Sequence, residues 1–365
     1  MAKGTYKSIK ALCKRLKNST DAMDAAYPND KRVTLLYACN ASGKTQVSKY
    51  FYDDHESEAL YYSAFTEDLF TWDNDNYVLK IPPNSWLAKL IQTQGLEPEI
   101  ISNYQKFSGS KVEPSFFLAE GKITFARHTG ATATPENMKI SRGEESAFIW
   151  STFYTVLDSA IDALNEPVGA RTVTDFDAIK YVLIDDPVSS MDDTRIITIA
   201  ISLADLISKS NNQLRFLITT HHALFFNVLF TATKWNKNRN SYILSKSETD
   251  YRLKRQGNES PFAYHHVVIA EIRRAISGNE IKKYHFNLYR ALLEKTANFL
   301  GHERWKDCLK DDTTGETLIK LIDHYSHNGL SDLDAKDLPV TEREDFSKSF
   351  NFFMSKFNWG AVANG

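Results

Sequence analysis

The run VTLLYACNASGKTQ, from Val33 to Gln46, constrains this chain more than any other stretch. Its apolar and β-branched start predicts a short strand over Lys31 to Tyr37, and TQVSKYFY predicts the start of a helix. Between them, Ala38 to Thr45 follow the phosphate-loop pattern G-x-x-x-x-G-K-[ST], with Ala38 in the first glycine position. Gly43 lets the backbone approach a phosphate, Lys44 reaches toward the β- and γ-phosphates, and Thr45 offers its hydroxyl to Mg²⁺. The candidate nucleotide-binding residues here are Asn40, Ala41, Ser42, Gly43, Lys44 and Thr45, and the nucleotide is ATP or GTP. Ala38 has only to tolerate the first bend of the loop.

At 365 residues the chain has room for two domains or one large α/β domain. Hydrophobic residues at 42% and charged residues at 25% describe an ordinary globular protein. A net charge of -2 decides nothing about nucleic acid, because basic patches can be local. Cys13, Cys39 and Cys308 have no paired spacing, which suits reduced thiols in a cytoplasm. The basic start, MAKGTYKSIKALCKRLKNST, has no apolar stretch of signal-sequence length, and no run approaches a membrane span. The expectation is a cytoplasmic protein with no membrane partner.

Three further segments fit the first. YVLIDDPVSSMDD is an apolar strand ending in two carboxylates. Asp185 takes the Walker B position and holds Mg²⁺, while Asp186 can position or deprotonate an attacking water. LRFLITTHH is a second apolar strand, and its His221 can sense a γ-phosphate. KISRGEESAFIW resembles the ABC signature, with Ser141, Gly143 and Glu144 in place at a helix start suited to a γ-phosphate. The helix that follows carries a stripe at Ile149, Phe153, Leu157, Ala160 and Leu164, expected to be core. Walker A, signature, Walker B, the loop from Ser189 to Asp192 and the switch histidine occur in ABC order. In ABC heads one protomer's signature completes the other's site, so a head-to-tail nucleotide-sandwich homodimer is expected, with a dimer of dimers as a larger assembly.

Beyond residue 245 the pattern changes. SKSETDYRLKRQGNESPFAYHH reads as an irregular connection or an edge hairpin. EIKKYHFNLYRALLEKTANFLG then reads as a helix burying Phe286, Tyr289, Leu293, Ala297 and Leu300, with Gly301 as its C-cap. Arg290 and Glu294 stand at i and i+4 on another face. A second helix, ETLIKLIDHYSHNGLS, ends in His324 and His327. Arg, Glu and His together suit RNA cleavage: histidine exchanges a proton with the 2′-OH or the leaving 5′-oxygen, and arginine neutralises charge on a pentavalent phosphate. Such a set needs no metal.

Over nearly its whole length the chain resembles the PrrC-type anticodon nucleases. The resemblance rests on YYSAFTEDLFTWDND, the phosphate loop with alanine first, SRGEESAFIW, YVLIDDPVSSMDD, FLITTHH, YHFNLYRALLEKTANFLG and the SH of HYSHNGLS. It implies an α/β ABC-type P-loop ATPase domain over residues 1–248, a connection and tRNA-contact segment over 249–263, and an all-α HEPN-like nuclease domain over 264–365. It implies catalytic roles for Arg290, Glu294 and His327, and a tRNA anticodon stem-loop as substrate. It further implies an anti-phage role, with the nuclease kept latent by a type I restriction–modification complex. The KRQGNESPF stretch departs from the family in length and residues, so the resemblance carries the reaction and not the tRNA species. Before the resemblance, the residues alone also admit an ABC-type DNA-associated ATPase switch that recruits a separate effector. A transporter subunit would need a coupling partner that no feature suggests.

Overall fold

The structure, a computed structural model, describes residues 3–21, 31–39, 42–63, 69–127, 137–188, 191–211, 213–246, 250–256, 264–313, 315–327 and 338–357. The chain divides into two compact units, Met1–Phe262 and Ala263–Gly365.

In the first unit the elements run in the order β1 (Lys3–Tyr6), α1 (Ile9–Asp21), β2 (Arg32–Ala38), α2 (Lys44–His55), β3 (Ala59–Ser63), β4 (Thr71–Asp73), β5 (Val78–Lys80), α3 (Trp86–Gln94) and α4 (Glu97–Ser108). They continue with β6 (Val112–Phe117), β7 (Lys122–Arg127), α5 (Arg142–Asn165), β8 (Tyr181–Asp185), α6 (Asp193–Lys209), β9 (Arg215–Thr220), α7 (Ala223–Ala232), β10 (Arg239–Lys246) and β11 (Tyr251–Arg255). A seven-stranded sheet has the order β1-β11-β10-β2-β9-β8-β3. From β10 to β3 every pairing is parallel, and β11 and β1 add antiparallel strands at one side. The polar stretch read as a connection or edge hairpin thus supplies β11, inside the sheet. The central strands are apolar along both faces, as a sheet covered on both sides requires. Leu36, Ala38 and Leu217 pack under Leu12, Leu16, Val47 and Phe51 of α1 and α2. Tyr37, with its side chain on the other face, meets the Phe226 ring of α7 edge-on at 5.8 Å.

The register decides where chemistry can occur. Tyr37 of β2 lies opposite Thr220 of β9, and Asp185 of β8 lies opposite Thr219. The carboxyl ends of three adjacent parallel strands are therefore level. In open α/β sheets that edge is where ligands bind.

A four-stranded antiparallel sheet, β4-β5-β7-β6, forms a second layer that the sequence pattern does not announce. It packs through Phe125 against Phe148 of α5, ring centroids 5.2 Å apart. The buried face of α5 is accordingly wider than the expected stripe. Leu157, Ala160 and Leu164 are buried, but Ile149 and Phe153 are only half-buried, and Phe148, Trp150 and Ile161 fill the core instead.

The second unit contains the helices α8 (Tyr264–Ser277), α9 (Lys283–Leu300), α10 (Gly315–His327) and α11 (Val340–Lys356). Phe286, Tyr289, Leu293 and Ala297 of α9 are buried in one core with Leu318 and Ile322 of α10 and Phe346 and Phe350 of α11. Leu300, expected in that row, is 44% exposed. The helix ends there: Gly301 adopts a left-handed φ of 73°, and the His302 amide bonds back to the Ala297 carbonyl at 2.9 Å. A short 3₁₀ segment, Trp305–Leu309, follows and buries Cys308 and Leu309.

Candidate functional site

The loop after β2 ends at Gly43, which caps α2 with φ 94°, a conformation that a side chain would strain. The first-turn amides of α2 have no intrahelical acceptor and carry the positive end of the helix dipole. Of the loop residues expected to hold nucleotide, Asn40 and Ala41 lie outside the described residues. Ser42 bonds the Cys39 carbonyl through its hydroxyl at 2.5 Å, closing the turn. Lys44 is buried, and Thr45, one residue on, is exposed.

Lys44 does not point into open space. Its ammonium sits 2.5 Å from Asp186 Oδ2 and 3.6 Å from Asp185 Oδ1. Asp186 also takes hydrogen bonds from the Thr220 hydroxyl at 3.2 Å, from the His221 amide at 3.1 Å, and from the His221 ring. Its backbone is left-handed, φ 57°, a state Asp and Asn tolerate better than most residues. Burial pushes its carboxyl pKa up, but the His221 hydrogen bond and the Lys44 charge pull harder and lower it to about 2. Asp186 is therefore an anion at any physiological pH. Lys44, Asp185, Asp186 and His221, drawn from three separate sequence segments, meet in one cluster.

Asp185 is held differently. The Thr219 hydroxyl donates to its Oδ1, and Ser48 of α2 lies 3.4 Å from the same hydroxyl. Its Oδ2 is buried with no hydrogen-bond partner among the described residues, a costly arrangement unless another group supplies one. A carboxylate and a threonine hydroxyl are hard oxygen donors of the kind Mg²⁺ takes, so Asp185 and Thr45 fit that ion. Among the described residues no cluster of three or more His, Cys, Asp or Glu could hold a metal by itself.

Ser141 is the N-cap of α5, with Gly143 in the first turn. Its hydroxyl accepts from the Glu144 amide at 3.2 Å, and the Glu144 carboxylate accepts from the Ser141 amide at 2.9 Å. This capping box keeps the helix start in shape, and Ser141 remains exposed. Asp192 likewise caps α6 through the Arg195 amide at 3.0 Å, while Ser189 and Ser190 lie outside the described residues.

In the second unit, Arg290 Nε donates to Glu294 Oε1 at 2.8 Å. Arg290 Nη1 reaches Asp323 Oδ1 of α10 at 3.4 Å, and Lys306 donates to the other oxygen of Asp323 at 2.8 Å. Asp323 stands one turn before His327, on the same side of α10. The side chain of His327 lies outside the described residues. His324 meets the Tyr325 ring edge-on at 5.1 Å.

Residues 99–354 match the AAA_13 family, described as an AAA domain. Over 332 residues the chain is 40% identical to the anticodon nuclease of Escherichia coli, an alignment covering 82% of this chain and 83% of that protein. The chain belongs to the PrrC-type anticodon nuclease family. Two solved structures are more distant, each 10% identical. The SMC head bound to the C-winged helix domain of ScpA covers 64% of this chain and 91% of its own, with a TM-score of 0.35. The SMC head domain from Thermotoga maritima covers 63% and 92%, with a TM-score of 0.32.

In this anticodon-nuclease family member, sequence reasoning placed Lys44, Asp185, Asp186 and His221 at one strand edge. It missed what ties them together: Thr219 and Thr220, the last residues of β9. Both are polar and buried at the end of an apolar strand, which is the signal that could have found them. It also missed Trp305, Lys306 and Asp323, which surround Arg290. No helix among the described residues is long and apolar enough to cross a membrane.

Proposed function

We propose that the chain is a nucleotide-gated anticodon nuclease that cuts tRNA in the anticodon loop. The observation that carries this is the Arg290–Glu294–Asp323 cluster, formed by two packed helices of a chain in this family. Glu294 and Asp323 each take one edge of the guanidinium, which holds the arginine in place with N–H groups left for a phosphate. Arg290 neutralises charge on the pentavalent phosphate, Glu294 orients it or moves a proton, and His327 exchanges a proton with the 2′-OH or the leaving 5′-oxygen. The second unit is then a HEPN-like nuclease domain, and its products are a 2′,3′-cyclic phosphate and a 5′-OH.

In the first unit, residues 40–45 would cradle the phosphates of ATP or GTP, with His221 at the γ-phosphate. Ser141, Gly143 and Glu144 would close over it from a partner copy. Thr45 and Asp185 would hold Mg²⁺, which neutralises charge on the β- and γ-phosphates. Lys44, paired with Asp186 in this structure, would turn to a phosphate of the nucleotide and leave Asp186 to orient water. Activity is an anti-phage response, with a restriction–modification complex as the partner that keeps it latent.

The test is to incubate the full chain with bulk tRNA, nucleotide and Mg²⁺, and to map the new ends by sequencing. Cuts confined to an anticodon loop, with 2′,3′-cyclic phosphate and 5′-OH ends and continuing in EDTA once the nucleotide requirement is met, are expected. Ends bearing 5′-phosphate would overturn the mechanism, and intact tRNA would overturn the function.

A further inference from the structure

Beside Arg290 the second unit has an open depression of about 440 Å³, lined by Glu294, Glu303, Arg304, Trp305 and Lys306. That volume falls in the range of small-ligand sites, about 300–1,000 Å³. Its lining includes one aromatic ring, placed by local structure. Gly301 ends α9 in a left-handed turn, the chain doubles back, and buried Cys308 and Leu309 anchor the 3₁₀ segment that begins with Trp305. The ring packs partly against the helical core. Its position beside the cluster is close: the Arg290 guanidinium carbon is 5.4 Å from the ring centroid, and the Lys306 ammonium is 5.5 Å from it.

We propose that this depression is a nucleobase subsite, in which Trp305 stacks on one unpaired base of the RNA loop next to the scissile bond. This rests on the reading of Arg290 and Glu294 as the nuclease centre. Three features point to a base. A tryptophan face is the best stacking surface a protein has, and single-stranded RNA is recognised by stacking splayed bases on aromatic rings. Two cations, Arg290 and Lys306, lie over that ring, so a base that stacks there replaces a cation–π contact and has positive charge at hand for its own phosphates. The carboxylates of Glu294 and Glu303, both in the lining, accept from the amino and imino groups of a base edge. Paired RNA cannot use such a site, because its bases are stacked on one another. The subsite therefore selects loops over stems. Lys306 and Arg290 donate to the two oxygens of one carboxylate, Asp323, which joins the surroundings of the ring to the cluster.

The experiment compares Trp305→Phe and Trp305→Ala in the full chain, with bulk tRNA as the probe. Two readouts are taken: steady-state cleavage, and binding in a His327→Ala background that holds tRNA without cutting it. A base stack is formed equally in the bound and transition states, so its loss raises KM with little change in kcat. Trp305→Ala is expected to raise KM and to weaken binding by the same factor, on the order of ten-fold, with Trp305→Phe close to wild type. Unchanged KM and binding in Trp305→Ala would overturn the proposal. So would an equal loss in Phe and Ala variants accompanied by a lower melting temperature, since that marks a packing role. Should the wild-type chain leave tRNA uncut, the nuclease reading fails by itself, and the binding readout still decides on Trp305.

Discussion

The Asp186 carboxylate accepts from the Thr220 hydroxyl and the His221 amide and holds the Lys44 ammonium at 2.5 Å. Its pKa, lowered from 3.8 to about 2, makes its ionised form worth about 2 kcal/mol of folding stability. The sign follows from linkage. A carboxyl depressed in the folded state contributes fully above its unfolded pKa near 4 and loses the contribution as pH falls toward 2. Asp186→Asn keeps a residue that tolerates the left-handed backbone, so it removes the charge with little added strain. The difference in unfolding free energy between wild type and Asp186→Asn, measured by denaturant at a series of pH values, should be constant from about pH 7 to 5 and close between about pH 4 and 2. A gap unchanged at the acid end would mean that Asp186 is not the group whose charge holds the cluster. In the second unit, His327→Ala should abolish tRNA cutting and leave nucleotide binding intact, whereas His324→Ala should retain most cutting. The opposite pattern would exchange the two roles.

Two helices carry the functional residues outward while their inner faces hold them in place. α9 presents Arg290 and Glu294 on one face and buries Leu293 completely on the adjoining face. Leu293→Ala leaves a cavity, which should destabilise the second unit by roughly 2–5 kcal/mol. Calorimetry should show that loss together with reduced tRNA cleavage, while nucleotide binding by the first unit stays at wild-type level. At the start of α5 the capping box leaves Ser141 exposed, so Ser141→Arg places a bulky cation where a partner copy would approach in the proposed sandwich. That variant should stay a lower-mass species in light scattering with nucleotide and should not cut tRNA. Ser141→Ala, which removes the cap at about 1 kcal/mol and the hydroxyl proposed to face the γ-phosphate but adds no bulk or charge, should assemble at higher nucleotide concentration than wild type. These helices and the strands β2, β8 and β9 were legible because apolar runs and helical spacing are local signals. The sequence also pointed to Gly301 as the end of α9. The contacts of Asp323 with Arg290 and with Lys306 were not legible, because pairing between α9, the 3₁₀ segment and α10 leaves no periodic trace. The same is true of Lys44 and Asp186, which are far apart in the chain and meet only through strand order. The buried row of α9 was overextended by one turn at Leu300, since the turn at Gly301 frees that position from the core.

At the scale of the molecule the chain forms two compact units, and the proposed function assigns phosphate and Mg²⁺ to the cluster of one and RNA to the cluster of the other. RNA cleavage through the 2′-OH draws nothing from a phosphoanhydride bond, needing only proton transfer and charge stabilisation. On the proposed reading nucleotide would be a switch and timer whose occupancy shifts the population of an assembled, tRNA-competent state. Asp186 is one methylene shorter than the glutamate common at that position in ABC heads, and it is engaged by Lys44 and His221 without ligand. Both features favour slow hydrolysis. The most direct measurement is the ratio of tRNA cleavage to nucleotide hydrolysis in Asp186→Asn, with assembly mass followed on the same samples. The account predicts that hydrolysis falls while the assembled state persists and cleavage is kept or prolonged. Cleavage falling in proportion to hydrolysis, with assembly unchanged, would contradict it and mean that each turnover drives a cut.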